Sequence, residues 1–164
     1  MTREYDLRPA DAADLDRLVE LAAQRRDAYQ QFQPRFWRSA ADGRTHQRRY
    51  FASLLSDPDA WVTIGCLDRL VEGFAVARLM PPPPVYDPGG LACVLDDFTV
   101  SEAGQWVDLG RLLLQAAREW ALSRGAVQIV VVTAHLDQSK RAVLEAAGLS
   151  IASEWWVGEL DMTR

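Results

Sequence analysis

Cysteine is scarce in this sequence. The two present in 164 residues, Cys66 and Cys93, stand inside apolar runs and lack the close spacing that a zinc site or a redox dithiol requires. They read as buried thiols of a reducing compartment, with no metal site. Long apolar runs are missing too: nothing approaches the roughly 20 residues of a membrane span, and Met1-Thr2-Arg3-Glu4-Tyr5-Asp6 lacks the apolar core of a secretory signal. A cytoplasmic protein with no membrane partner is expected. Positive charge is in deficit, 18 Lys and Arg against 23 Asp and Glu for a net −5, which speaks against a nucleic-acid surface. The arginines from Arg44 to Arg49 read as one solvated helix face. No G-x-G-x-x-G turn with a following ribose-binding acid occurs, and that excludes a dinucleotide-dependent enzyme.

What is present is a globular composition, 49% hydrophobic and 25% charged with six tryptophans, and neither internal repeat nor linker. One domain spanning residues 1–164 is expected. Tyr5 and Leu7 alternate as a short strand ended by Pro9, and Asp11 stands where a cap belongs, before a helix turning Leu15, Leu18, Val19 and Ala22 inward. Pro34 and Gly43 interrupt the aromatic and arginine-rich stretch that follows and leave one helix from Thr45 to Leu55. Trp61 to Leu67 and Leu70 to Leu79 flank the pair Asp68-Arg69 as an antiparallel hairpin. Four prolines, Pro81 to Pro84, then make a stiff loop running to Gly89-Gly90.

The second half is more regular. Leu91 to Val100 reads as a strand, and Leu109, Leu112, Leu113, Ala116, Ala117, Trp120 and Ala121 mark one stripe of a long helix stopped at Arg124-Gly125. Val127 to Thr133 is so rich in β-branched residues that it belongs in the middle of a sheet covered on both faces. A last helix is capped by Asp137 and closed by Gly148, with Val143, Leu144 and Ala147 inward. A final strand is expected around Glu154 to Leu160, where the neighbours Trp155 and Trp156 face opposite ways, serving the core or a homodimer surface. The whole is a mixed α/β sheet flanked by helices.

A strand that runs into a helix N-terminus offers unpaired amides and a positive dipole end, which together suit a phosphate. The best such junction here runs from Val100 to Gly110. The stretch Leu95-Asp96-Asp97-Phe98-Thr99-Val100-Ser101-Glu102-Ala103-Gly104-Gln105-Trp106-Val107-Asp108-Leu109-Gly110-Arg111-Leu112-Leu113, with the order of elements along the whole chain, resembles the GNAT superfamily of acetyl-CoA-dependent N-acetyltransferases. Its opening is most similar to polyamine and aminoglycoside acetyltransferases. The resemblance implies a GNAT-like sheet with the fourth and fifth strands splayed, acetyl-CoA as cosubstrate, and direct transfer of an acetyl group to a primary amine of a small molecule or peptide. It implies that backbone groups of Phe98, Thr99 and Val100 pair with the pantetheine arm. The loop from Gln105 through Trp106, Val107, Asp108, Leu109 and Gly110 to Arg111 is implied to hold the pyrophosphate, with Asp137 and Lys140 as further cofactor contacts. By the same resemblance Asp96 is the general base or amine anchor and Asp97 holds backbone at the sheet. His135, at the end of the fifth strand, is the second candidate for handling a proton.

Three positions depart from the family pattern. Trp106 and Asp108 occupy usual glycine positions, and Leu144 stands where the family carries its tyrosine acid. Asp108 is expected to cap the long helix and so to consume amides that a phosphate would use. Its charge, roughly 6 Å from a phosphate charge, costs about 1 to 3 kcal/mol per pair at an effective dielectric from about 80 down to 20. These departures keep a second reading open, a noncatalytic acyl-CoA-binding or protein-interaction module on the same fold. Tyr29, Phe32, Phe36, Trp37 and Tyr50 are the aromatic candidates for an acceptor site.

Overall fold

The computed structural model describes residues 4–160; the first three and last four residues of the expected domain lie outside them. The order is β1 (Asp6–Pro9), α1 (Leu15–Phe32), α2 (Gly43–Leu55), β2 (Ala60–Leu67), β3 (Leu70–Met80), β4 (Leu91–Val100), α3 (Leu109–Ser123), β5 (Ala126–Val131) and α4 (Gln138–Ala146). The strands form one sheet in the order β1-β2-β3-β4-β5, antiparallel throughout except for the parallel pair β4 and β5.

Local chemistry sets the entries and turns. Asp11 accepts from the Ala13 amide at 2.7 Å while Asp14 accepts from the Asp11 amide at 2.9 Å, a reciprocal cap that leads through the 3₁₀ turn Ala12–Asp14 into α1. At the hairpin tip Asp68 and Arg69 both take left-handed φ, 50° and 69°, as a two-residue hairpin turn demands. Helices cover both faces. α1 and α2 set Leu18, Leu21, Phe51 and Leu54 on Ile64, Phe74 and Val76. On the other face α3 and α4 set Leu109, Leu113, Leu114 and Leu144 on Cys93, Leu95 and Phe98. The start of α3 is pinned by Leu109, which is fully buried over the cross-strand pair Gly65 and Gly73. A Cβ at those glycines would stand 2.2 and 2.9 Å from the leucine side chain.

Three sequence expectations are corrected. The buried face of α3 turns toward Leu114, 1% exposed, and leaves Leu112 at 38%; both leucines fit helical spacing, and periodicity alone does not say which flank a neighbour covers. β5 is the outermost strand of the described sheet, with Val127, Val130 and Val132 exposed, because β-branched composition reports extended backbone and not the presence of a further strand. The expected last strand does not form: residues 151–160 have no sheet partner, and Trp155 and Trp156 are both exposed, at 82% and 90%. Their segment lies instead against the connection between α1 and α2, with Trp155 5.9 Å from Phe36 between ring centres and Glu159 paired to Arg35 at 2.8 Å.

Candidate active site

The ladder between β4 and β5 runs from the Leu91–Ala126 pair to the Leu95–Val131 pair, and the Val132 amide adds a last bond to the Leu95 carbonyl at 3.0 Å. β4 continues to Val100 without that partner. On its other edge β4 bulges at Asp96-Asp97, since Ala75 faces Phe98 while Ala77 faces Leu95. The Ser101 amide donates to Glu72 of β3 at 2.7 Å. Backbone groups alternate along a strand, so Thr99 faces β3 while Phe98 and Val100 face the opening beside β5.

One side chain crosses that opening. Lys140 of α4 is fully buried, and its Nζ donates to the Phe98 carbonyl at 3.0 Å and the Val132 carbonyl at 2.8 Å. The same ammonium lies 5.1 Å from the Phe98 ring centre and 5.5 Å from that of Trp106. Burial pushes the lysine down to about 7, with the Arg25 charge adding to it, while Asp137, Asp97 and Asp96 pull the other way. Lys140 therefore joins the two strands where their own hydrogen bonding has stopped.

The bulge separates the two acids. Asp97 is buried, forms an ion pair with Arg25 of α1 and accepts from Gln47 at 3.4 Å. It holds a guanidinium rather than sheet backbone, a correction to its expected role, and Arg25 in turn donates to the Asp96 carbonyl at 3.4 Å. The Asp96 side chain is exposed and accepts no hydrogen bond among the described residues. Beside this cluster Tyr29 donates its hydroxyl to Asp137 at 3.0 Å, and the other carboxylate oxygen of Asp137 caps α4 by accepting from the Lys140 amide at 3.2 Å. Burial, then the Asp137 charge, pushes the Tyr29 phenol up to about 12. Sequence reading named Tyr29 only as an aromatic lining residue and missed Arg25. The signal was there: Leu18, Ala22, Arg25 and Tyr29 continue one face of α1 at three- and four-residue steps. His135 is exposed, and only its carbonyl is engaged, by Arg141 at 2.7 Å.

The loop before α3 is built from its own side chains. Gln105 is buried, accepts from the Ser101 hydroxyl at 2.8 Å and the Glu102 amide at 3.0 Å, and donates to Glu72 at 3.3 Å. Trp106 is buried edge-on against Phe98, with ring centres 4.8 Å apart. Its indole fills the space above Gly110, where a Cβ would stand 2.4 Å away. Leu109 belongs to the core, Val107 and Arg111 are exposed, and Leu144 is a core residue. Asp108 does not cap α3 with its side chain, contrary to expectation. Its backbone lies in the helical region rather than the extended geometry that brings a cap to the second and third amides. The Arg111 amide has no backbone acceptor among the described residues. Two shallow surface depressions lie elsewhere, by the proline loop and beside β5.

No family model matches this chain. No curated protein matches it either. Solved structures do. A predicted acetyltransferase of Clostridium acetobutylicum, solved with acetyl-CoA, is similar at 19% identity over 97% of each chain, with a TM-score of 0.74. The aminoglycoside N-acetyltransferase AAC(6')-Iy, solved with CoA, is similar at 15% identity over 99% of this chain and 97% of its own, with a TM-score of 0.71. A Bacillus halodurans protein reaches a TM-score of 0.81 at 16% identity, over 94% of this chain and 99% of its own. Such likeness establishes the fold, and the fold is the GNAT fold that the resemblance implied.

Proposed function

We propose that this protein transfers an acetyl group from acetyl-CoA to a primary amine of a small molecule or peptide, by direct attack within a ternary complex. The reading is carried by the divergence of β4 from β5 beyond Leu95, which turns the Val100 amide to the opening without a strand partner, and by the start of α3, where the Arg111 amide has no backbone acceptor among the described residues. These groups fit the cosubstrate. Leu109, Gly110 and Arg111 supply amides for a pyrophosphate at the positive end of α3, and the Val100 amide serves an extended arm lying along β4. Phe98 contributes its carbonyl once Lys140 releases it. The bound thioester supplies an activated acetyl carbon. Asp96, exposed at the bulge and free of internal bonds, anchors the incoming ammonium and takes its proton. Tyr29 and Asp137 offer a hydrogen-bonded proton-carrying pair in place of the tyrosine that the resemblance implied, and His135 is exposed.

Structures similar in fold include an aminoglycoside acetyltransferase with a bisubstrate analogue, which favours a small polyamine-like acceptor. The competing reading, a noncatalytic module, draws on Lys140 in the opening, Asp108 at the loop and Leu144 in place of a tyrosine. Calorimetric titration with acetyl-CoA at two salt concentrations, followed by acetyl transfer to a panel of amines, separates the two. The enzyme binds in the micromolar range, and Asp96→Asn slows its transfer far more than it weakens binding. Saturable binding without transfer to any amine supports the module, and no saturable heat removes both acyl-CoA readings.

A further inference from the structure

Lys140 is the only lysine in the sequence, where arginine serves every other strongly basic position. An arginine keeps its proton in a protein, whereas a lysine can lose one and become a nucleophilic amine. The one side chain with that capacity is also fully buried, and two carbonyls and two ring faces compensate for the water it has lost. Burial and the Arg25 charge push it down to about 7, against the pull of Asp97, Asp96 and the Asp137 that Tyr29 also holds. A large share of molecules therefore carry a neutral amine there at neutral pH.

Its place in the opening decides what that amine can meet. Nζ is bonded to both walls, the Phe98 carbonyl on β4 and the Val132 carbonyl just past β5. In the reading proposed above, the arm of acetyl-CoA runs from the start of α3 past Val100 toward the acceptor at Asp96, and Phe98 lies between those two residues on β4. A group that takes the Phe98 carbonyl from Lys140 comes within contact distance of the amine, which keeps the Val132 carbonyl as its anchor. Reagents in solvent have no such access to a side chain without exposed surface.

We propose that Lys140 is a self-acetylation site, modified by the acetyl-CoA held in the opening, and that the acetyl-lysine then closes the opening to further cosubstrate. The inference rests on the acetyl-CoA reading. The neutral Nζ attacks the thioester carbonyl, a C–N bond forms, the C–S bond breaks, and the proton lost by the nitrogen leaves with the thiolate as free CoA thiol. The resulting amide has one N–H where the ammonium had three, and its acetyl group occupies space that the arm would need. The test is mass spectrometry of the full chain, with the site mapped on fragments, after incubation with acetyl-CoA. One acetyl group on Lys140 is expected, suppressed by excess CoA and absent with acetyl phosphate at the same concentration. Its rate should rise about tenfold per pH unit below about 7 and level off above. Equal modification by acetyl phosphate, or none of this suppression by CoA, overturns transfer from a bound cosubstrate. Saturable heat with acetyl-CoA and an unmodified Lys140 overturns the proposal and leaves the cosubstrate reading standing, while neither heat nor adduct removes both. The acetylated protein should bind CoA at least about tenfold more weakly, and unchanged affinity overturns the closure.

Discussion

From Leu91 to Leu95, β4 gives its outward hydrogen-bonding groups to β5; from Asp96 to Val100 the same strand turns them toward an opening crossed by one lysine. The paired stretch is satisfied by backbone alone and asks nothing of its side chains beyond apolar packing. The diverging stretch is held by parts drawn from all over the chain: Arg25 from α1, Trp106 from the loop, Lys140 from α4. A sheet that stops pairing in mid-strand must recruit polar side chains to the carbonyls it frees, or leave them buried and unbonded at about 1 to 3 kcal/mol each.

That contrast is best attacked at Phe98, fully buried beneath Trp106 and Lys140. Phe98→Ala should cost about 3 to 5 kcal/mol in urea unfolding; a loss near zero means the diverging stretch is not packed as described. The loop offers an internal control. Gly110→Ala drives a methyl into the Trp106 indole and should cost about 1 to 3 kcal/mol, whereas Gly104→Ala, with nothing within 4 Å, should be nearly silent in the same melt. Asp108→Gly removes a negative charge from the mouth of the opening and should tighten acetyl-CoA roughly tenfold, more at low salt than high. Unchanged affinity in calorimetry disconnects that aspartate from phosphate.

Lys140 sharpens the comparison through pH. Its folded value is lowered to about 7 from an ordinary 10.5, so between those limits the unfolded chain binds more protons and stability rises with pH. The rise should be up to about 1 kcal/mol per pH unit and should vanish in Lys140→Met. Hydrogen exchange gives the finest reading. The Val132 and Ser101 amides, bonded to Leu95 and Glu72, should exchange slowly, while the Val100 amide should exchange fast and slow down when acetyl-CoA is added.

Most elements were legible because their signals are local. The Asp11 cap, the Asp68-Arg69 turn, the helix ended at Gly125 and the cap at Asp137 each depend on neighbours a few residues away. Periodicity placed α3 but not its rotation, which depends on what stands beside it. The fifth strand and the absent sixth were misread for one reason: extended backbone is written in the residues, but its partner is not. The candidate site followed the same division. Asp96, Phe98 and Gln105 were named from a contiguous run, yet the Arg25 to Asp97 pair and the Tyr29 to Asp137 bond join residues far apart in the chain. Neither had a contiguous pattern to announce it, although the face of α1 carrying Arg25 and Tyr29 pointed to the right side of the sheet.

Gly110 carries a consequence for how such chains are found. Glycine stands at 110 as the resemblance implied, but here the space beside it is filled from within by the Trp106 indole. With Trp106 and Asp108 at the other positions, no family model matches the chain, while its three-dimensional outline stays recognisable. Divergent members of this architecture are better sought by asking which bulky ring has moved in beside the helix start.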